Sequence, residues 1–152
     1  MIEIKSNQEL EINNILSFRS KMKQNELDNV IKNMELKIQG LGARRLGNPI
    51  TATFGIDGEY LDVEILLPVD RPLENMGEYI FKEKFKLVNA TVATYKGHPM
   101  GLQNACNEFN QHILEQKLQP ITVGYNVTKH IDPINMENTE IEIWVGITPN
   151  IL

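Results

Sequence analysis

The sequence passes twice through the same order of segments, and this internal repeat constrains the fold more than any other feature. The tripeptide PIT occurs at Pro49 and again at Pro120. A later apolar run in each half has a glutamate at its second position, Glu64 in VEILLPV and Glu142 in IEIWVGI. Two copies of a small unit generally bury a shared core that neither copy has alone. We therefore predict two pseudo-repeats that form one domain.

The first half predicts a strand, a helix and a pair of strands. The strand spans Asn14 to Met22, and the helix begins near Gln24. The apolar residues of the helix recur at the spacing of one helical face, at Leu27, Val30, Ile31, Met34 and Ile38. PITATF and YLDVEILLPV follow as two strands. The turn between them is predicted at Asp57 and Gly58, because glycine adopts positive φ without steric cost.

The second half repeats this order. KLVNATVATY predicts a strand, and GHPMG opens a helix from about Met100 to Lys117. The apolar face of that helix consists of Leu102, Ala105, Cys106, Phe109, Ile113 and Leu114. PITVGYNV and TEIEIWVGI close the half as strands, separated by the longer loop TKHIDPINMEN. The pseudo-repeats cover about 14–70 and 87–148 of a single domain, 1–152, and predict an α+β fold with an antiparallel sheet.

The closing strand of each half has two different faces, because side chains alternate across a strand. One face is apolar and consists of Val63, Ile65, Leu67 and Val69 in the first half and Ile141, Ile143, Val145 and Ile147 in the second. We expect the helices to cover this face. The opposite face carries Tyr60, Asp62, Glu64, Leu66 and Pro68 in the first half and Glu140, Glu142, Trp144 and Gly146 in the second. It therefore mixes carboxylates with aromatic and apolar groups.

The composition limits the classes of partner. The chain of 152 residues has a formal net charge of -5, which argues against a nucleic-acid partner, because phosphate binding relies on clustered Lys and Arg. No run of about eighteen apolar residues occurs, and the opening lacks the pattern of a secretion signal. We expect a cytoplasmic protein without membrane contact. The single Cys106 cannot form an internal disulfide.

Three features of the sequence belong together: the repeated order, the segment ATYKGHPMGL that opens the second helix, and the closing EIEIWVGI. In these features the sequence resembles the GyrI-like small-molecule-binding domains. These bacterial domains also occur as the effector-binding part of AraC-type and MerR-type multidrug regulators. The resemblance covers roughly Ile15 to Ile147. It implies two units around a pseudo-twofold axis, with helices on one face and, on the other, a cleft for flat or cationic organic molecules. The regulators also carry a helix-turn-helix domain, for which this sequence has no basic helix, so the resemblance is to the stand-alone form.

The resemblance also implies where a ligand binds. It places Glu142 and Trp144 on the cleft wall, with Glu64 and Tyr60 as their counterparts in the first repeat. The further candidates are Tyr125, Phe54, Leu66 and His98. A half-buried carboxylate facing aromatic rings suits an organic cation, because ion pairing strengthens in low dielectric and cation-π contact adds about 0.5–2 kcal/mol. The alternative is that the two glutamates only keep an open sheet face hydrated.

Three functions follow from this interpretation. We favour noncatalytic binding of a small organic ligand, cationic or aromatic, in the cleft between the pseudo-repeats. The first alternative is a protein-binding adaptor or inhibitor, because stand-alone relatives include one that restrains DNA gyrase; the loop from Thr128 to Asn138 would then contact the partner. The second alternative is a small hydrolase. No metal or cofactor is expected, since His98, His112 and His130 are scattered.

Overall fold

The computed structural model describes residues 2–75 and 77–148, which contain six β-strands and two α-helices. The strands are β1 (Ile2–Lys23), β2 (Ile50–Asp57), β3 (Tyr60–Pro68), β4 (Ile80–Lys96), β5 (Tyr125–His130) and β6 (Glu140–Gly146). The helices are α1 (Leu27–Gly40) and α2 (Leu102–Glu115), and short 3₁₀ helices lie at Gln24–Glu26, Pro99–Gly101 and Met136–Asn138. The strands pair antiparallel. The predicted α+β fold with two strand-helix-strand-strand repeats is confirmed.

The chain forms two compact units. The first unit is the continuous segment Glu11–Phe85. The second unit combines the segment up to Leu10 with the segment from Lys86 onward. Because β1 and β4 cross these boundaries, each of the two strands contributes residues to both units.

In the first unit, β3 is the central strand and pairs with β1 along one edge and with β2 along the other. Asp57 lies opposite Tyr60 across the turn, and Gly58 has a φ of 61°, as the hairpin requires. The apolar face of β3 packs against α1. This core includes Leu16, Met34, Ile38, Val63, Ile65, Leu67 and Val69. The face that we expected the helix to cover is confirmed.

In the second unit, β6 is the central strand and pairs with β4 and β5. Its core cluster consists of Ala93, Phe109, Ile113, Ile143, Val145 and Ile147. Ile2 and Ile4 from the start of β1 pack against the same cluster. Ile141 is buried but lies outside this cluster. Three of the four residues expected under the second helix therefore pack with it directly.

The strands β1 and β4 are longer than the sequence indicated. We expected β1 to begin near Asn14, but it begins at Ile2, and β4 begins at Ile80 instead of Lys86. Asn7 and Asn14 adopt positive φ values of 58° and 60°, a conformation that Asn tolerates better than most residues. The less exposed positions still alternate from Ile2 to Ile12, but the polar residues Ser6 and Gln8 stand in the same series as the apolar ones and interrupt the apolar pattern of period two.

The strand β5 is shorter than the predicted PITVGYNV segment, because it begins only at Tyr125. Pro120 forms an isolated bridge with Ile147. After Pro120 the Ile121 amide donates to the Gly146 carbonyl, but the Gly146 amide donates to the Thr122 side-chain Oγ1 instead of a backbone carbonyl, so a regular ladder does not form there.

Phe109 is the largest side chain that α2 buries, and its removal tests the packing of the second unit. We expect Phe109→Ala to lower the free energy of unfolding by about 3–5 kcal/mol, because it removes an aromatic ring and leaves a cavity. Urea denaturation followed by circular dichroism measures this loss. The matched control is Leu114→Ala on the same helix, since Leu114 is 72% exposed and should cost less than about 0.5 kcal/mol. Equal losses in both variants would contradict the packing described here.

Candidate functional site

Glu64 is a buried carboxylate with two polar partners in its own unit. The residue is only 8% exposed. Ser17 Oγ donates a hydrogen bond to Glu64 Oε2 at 2.6 Å, and Lys82 Nζ donates to the same oxygen at 3.0 Å. Charge-assisted hydrogen bonds are shorter and stronger than neutral ones, and they strengthen further away from bulk water. The chain therefore neutralises Glu64 with its own lysine.

The two aromatic candidates of the first unit also contact cations of the chain. The Arg19 guanidinium carbon lies 3.9 Å from the centroid of the Phe54 ring. Arg19 also donates two hydrogen bonds to the Asp62 carboxylate, at 3.1 and 2.9 Å, which hold the pKa of Asp62 below its ordinary value. Lys23 Nζ lies 5.6 Å from the centroid of the Tyr60 ring. Both rings thus carry an internal cation over one face.

Glu142 and Trp144 form the polar pair of the second unit. Two residues apart on β6, they share one face of the strand. Trp144 is 8% exposed, and its indole Nε1 donates a hydrogen bond to Glu142 Oε1 at 3.0 Å. Lys129 Nζ lies 3.8 Å from the same oxygen. The indole therefore fixes the orientation of a carboxylate that remains partly accessible.

Uncharged residues flank this pair on both neighbouring strands. Glu142 lies opposite Thr94 on β4 and opposite Val127 on β5. Trp144 lies opposite Tyr125 on β5, so the two aromatic candidates of the second unit are cross-strand neighbours. Within the part of the chain that the structure describes, no Lys or Arg stacks on the Trp144 ring. The second unit thus places two aromatic rings beside a carboxylate, with Trp144 buried and Tyr125 half-buried.

The remaining candidates, Leu66 and His98, have structural surroundings of their own. Leu66 is fully buried and lies opposite Ser17 of β1. His98 Nδ1 accepts a hydrogen bond from the Met100 amide at 3.1 Å and so caps the 3₁₀ helix before α2. The Tyr95 hydroxyl donates to the His98 carbonyl at 2.6 Å. These contacts account for the position of His98 without a ligand.

A shallow groove in the second unit lies beside this cap. It is lined by Tyr95, Gly101, Asn104, Ala105 and Glu108, and none of the predicted ligand-binding residues contributes to it. Gly101 has ordinary helical dihedral angles, but a Cβ at this position would overlap the Tyr95 hydroxyl oxygen. Glycine is therefore required here by the close approach of a side chain and not by backbone conformation.

This close approach can be tested with a double mutant. We expect Gly101→Ala to lower the free energy of unfolding by about 1–3 kcal/mol, a typical cost of overpacking. The same substitution should cost less in a Tyr95→Phe background, because the overlapping hydroxyl is absent. Thermal denaturation of the four proteins measures the coupling. Gly40→Ala is the control, since nothing lies within 4 Å of a Cβ there. Additive losses would argue against the overlap.

The loop between β5 and β6 is ordered by Asp132. Its Oδ1 accepts hydrogen bonds from the amides of Ile134 and Asn135 at 2.9 and 3.1 Å, and its Oδ2 accepts one from Asn138 Nδ2 at 3.3 Å. These bonds, led by the Asn135 amide, lower the pKa of Asp132 from its ordinary value of 3.8. The turn presents Ile134, which is 96% exposed.

The structure of this loop should depend on pH. A carboxyl whose pKa is lowered on folding stabilises the folded loop above the unfolded pKa and loses that effect as the pH falls through the folded pKa. We expect the amide resonances of Ile134 and Asn135 to be constant near neutral pH and to titrate together with a midpoint below 3.8. Two-dimensional NMR between about pH 6 and pH 2 measures the midpoint. Asp132→Asn should remove this titration, whereas a midpoint at or above 3.8 would contradict the proposed hydrogen bonds.

Other kinds of chemistry find little support in the described residues. Residues 2–75 and 77–148 contain no group of three or more His, Cys, Asp or Glu side chains that could hold a metal ion. Over the same ranges no helix has the length and apolarity needed to cross a membrane. Cys106 packs against the second core, and burial raises the pKa of its thiol. A raised pKa disfavours the thiolate that a nucleophilic cysteine needs.

Sequence reasoning missed the residues that pair with the candidates, which are Ser17, Arg19, Lys23, Lys82 and Lys129. Ser17 and Arg19 are two apart on β1, so alternation places them on one face, but nothing in the sequence reveals which residues of β3 they meet. Lys82 lies before the predicted start of its strand. The alternation in FKEKFK, from Phe81 to Lys86, was the available signal for a longer strand with a basic face.

Comparison with known proteins gives structural matches but no sequence match. No protein-family model matches the chain, and no curated protein is similar to it in sequence. The C-terminal domain of EcmrR superposes with a TM-score of 0.74 at 16% identity, and 97% of this chain covers 96% of that domain. In the complex of EcmrR with DNA, the TM-score is 0.76 at 16% identity, and 97% of this chain covers only 57% of EcmrR.

Two further solved structures share the fold over nearly their whole length. A hydrolase from Listeria innocua has a TM-score of 0.59 at 14% identity, with 97% of this chain and 91% of the hydrolase covered. SAV2435 bound to tetraphenylphosphonium has a TM-score of 0.56 at 8% identity, with 98% and 94% covered. At such low identity these matches establish the fold of the chain and leave its chemistry to its own residues.

Proposed function

We propose that this chain, whose fold is that of the GyrI-like effector-binding domains, binds a small organic molecule without chemically changing it. The carboxylate of Glu142 and the adjoining rings of Trp144 and Tyr125 would recognise a ligand that combines positive charge with aromatic surface. The cleft between the repeats stays a prediction. The binding of several drugs, a bacterial source and a cytoplasmic location are also predictions.

The observation that carries this proposal is the hydrogen bond between Trp144 Nε1 and Glu142 Oε1. It uses the one polar group of the indole and orients the carboxylate, while the ring has no cation of the chain over it among the described residues. A fixed carboxylate beside an aromatic face suits an organic cation, since ion pairing and cation-π attraction act together and little side-chain entropy is left to lose.

The proposed ligand class has a second line of support. SAV2435, which shares the fold, was solved with tetraphenylphosphonium, a bulky aromatic cation. Glu142, with its neutral cross-strand neighbours, gives this chain a residue that could accept the same class of molecule. The identity of the ligand is left open.

Catalysis is less well supported than binding, although one structural neighbour is described as a hydrolase. A hydrolase needs a nucleophile or an activated water beside a polarised group. The polar partners of Glu142 among the described residues are an indole N–H and the ammonium of Lys129, and both are hydrogen-bond donors without a lone pair for nucleophilic attack. We therefore favour a binding protein over an enzyme.

Titration with tetraphenylphosphonium tests the proposal. The chain contains a single tryptophan, Trp144, so its fluorescence reports on this site alone. We expect saturable quenching by the cation and a loss of affinity of about tenfold or more in Glu142→Gln, because the substitution removes the charge while keeping the shape.

Two controls decide how the titration is interpreted. Glu115→Gln, at the exposed end of α2, removes one negative charge elsewhere and should leave the affinity unchanged. Circular dichroism checks that each variant is folded. Quenching of equal strength in Glu142→Gln would contradict the role of the carboxylate. No response of folded wild-type protein to any aromatic cation would favour the adaptor alternative, in which the ordered loop with exposed Ile134 contacts a protein.

A further inference from the structure

The candidate residues of the first unit are already occupied by cations that belong to the chain. Each of the three candidates that could attract a positive charge has a lysine or arginine within interaction distance. The pairs are Arg19 with Phe54, Lys23 with Tyr60, and Lys82 with Glu64. The first unit therefore resembles a cation-binding site in which lysine and arginine side chains of the same chain take the place of the ligand.

The second unit holds its glutamate with a looser internal cation, because Lys129 forms an ion pair with Glu142 without a hydrogen bond. Lys129 Nζ is 3.8 Å from Glu142, whereas Lys82 Nζ is 3.0 Å from Glu64 and within hydrogen-bond distance. The Trp144 ring has no described lysine or arginine over it. The repeats have thus kept the same glutamate but differ in the cation that it meets.

We propose that Lys82 is a specificity-determining residue, whose tethered ammonium occupies the cation position at Glu64 and withholds this carboxylate from external organic cations. Glu142 is then the carboxylate that accepts a cationic ligand. The inference rests on the proposed function, because it takes binding at Glu142 as given.

Lys82 is the residue of the first unit that can have this effect. Arg19 lies opposite Glu64 in the strand register, but its guanidinium is bonded to Asp62 and stacked on a ring. Ser17 supplies a hydrogen bond to Glu64 but no charge. A tethered ammonium has a high effective concentration at Glu64 and loses no translational freedom on binding, so it outcompetes a dilute external cation.

Equilibrium dialysis with phenyltrimethylammonium, a compact aromatic monocation, tests this inference in variants that lack the second carboxylate. Glu142→Gln alone should bind the probe weakly. Adding Lys82→Met should restore binding, with an affinity at least about tenfold higher, because the charge of Glu64 then lacks a partner. Further addition of Glu64→Gln should abolish the gain.

Three controls separate this effect from a change in net charge or in folding. Lys84→Met removes a lysine two residues along β4 that pairs with Glu11 at 2.8 Å, and it should not restore binding. Lys82→Arg keeps the cation and should behave like the parent variant. The Lys82 side chain is 43% exposed, so its replacement does not open the core. If Lys82→Met does not fold by circular dichroism, Lys82→Gln replaces it.

The outcomes distinguish the two proposals. If wild-type protein binds the probe through Glu142 and Lys82→Met restores nothing, the specificity role of Lys82 is overturned and the proposed function stands. An equal gain from Lys84→Met, or a gain that survives Glu64→Gln, also overturns it. If folded wild-type protein binds no cation, the proposed function itself fails.

Discussion

The strand register of β3 and β6 determines which side chains are available for chemistry. Each strand pairs antiparallel along both edges, and each has a helix over one face. A slip of one residue would place Glu64 under α1 and move Val63 and Ile65 to the opposite face. The burial of those aliphatic residues, roughly 1.5–3 kcal/mol for each side chain, therefore also fixes where the carboxylate lies. The strand register therefore determines both the packing of the core and the position of the carboxylate in the candidate site.

The repeats share this architecture but surround their glutamates differently. Glu64 has an arginine opposite it on the neighbouring strand, whereas Glu142 has a threonine. The residue two positions after the glutamate is Leu66 in one repeat and Trp144 in the other. The leucine meets a serine across the sheet, while the tryptophan turns its N–H onto the carboxylate of its own strand. The two repeats provide equivalent frames, but different residues at neighbouring positions surround Glu64 with polar partners of the chain and place a tryptophan beside Glu142.

Features that depend on local periodicity could be predicted from the sequence. The helical faces of α1 and α2, the hairpin at Gly58 and the apolar faces of β3 and β6 all follow from spacing within a short window. Leu114 is the exception, since it was predicted on the apolar face of α2 and is 72% exposed. The partners of Glu64 could not be predicted, because Ser17 lies 47 residues away and Lys82 lies 18 residues away. Their meeting depends on register, which is set by the whole sheet. The early part of β1 was missed for a different reason, since the polar residues Ser6 and Gln8 interrupt the alternation of apolar residues that identifies a strand.

The division of β1 between the two units has a consequence for the order of synthesis. The first unit is continuous, so all of its residues have emerged from the ribosome soon after Phe85 is made. Ile2 and Ile4 belong to the core of the other unit, whose remaining members begin at Ala93 and end at Ile147. These two isoleucines are therefore made well before their packing partners. During that interval the start of β1 is an apolar strand without its core, the kind of segment that associates with other chains in the cell. The charged side chains Glu3, Lys5 and Glu9 that alternate along it are the kind of residue that discourages such association.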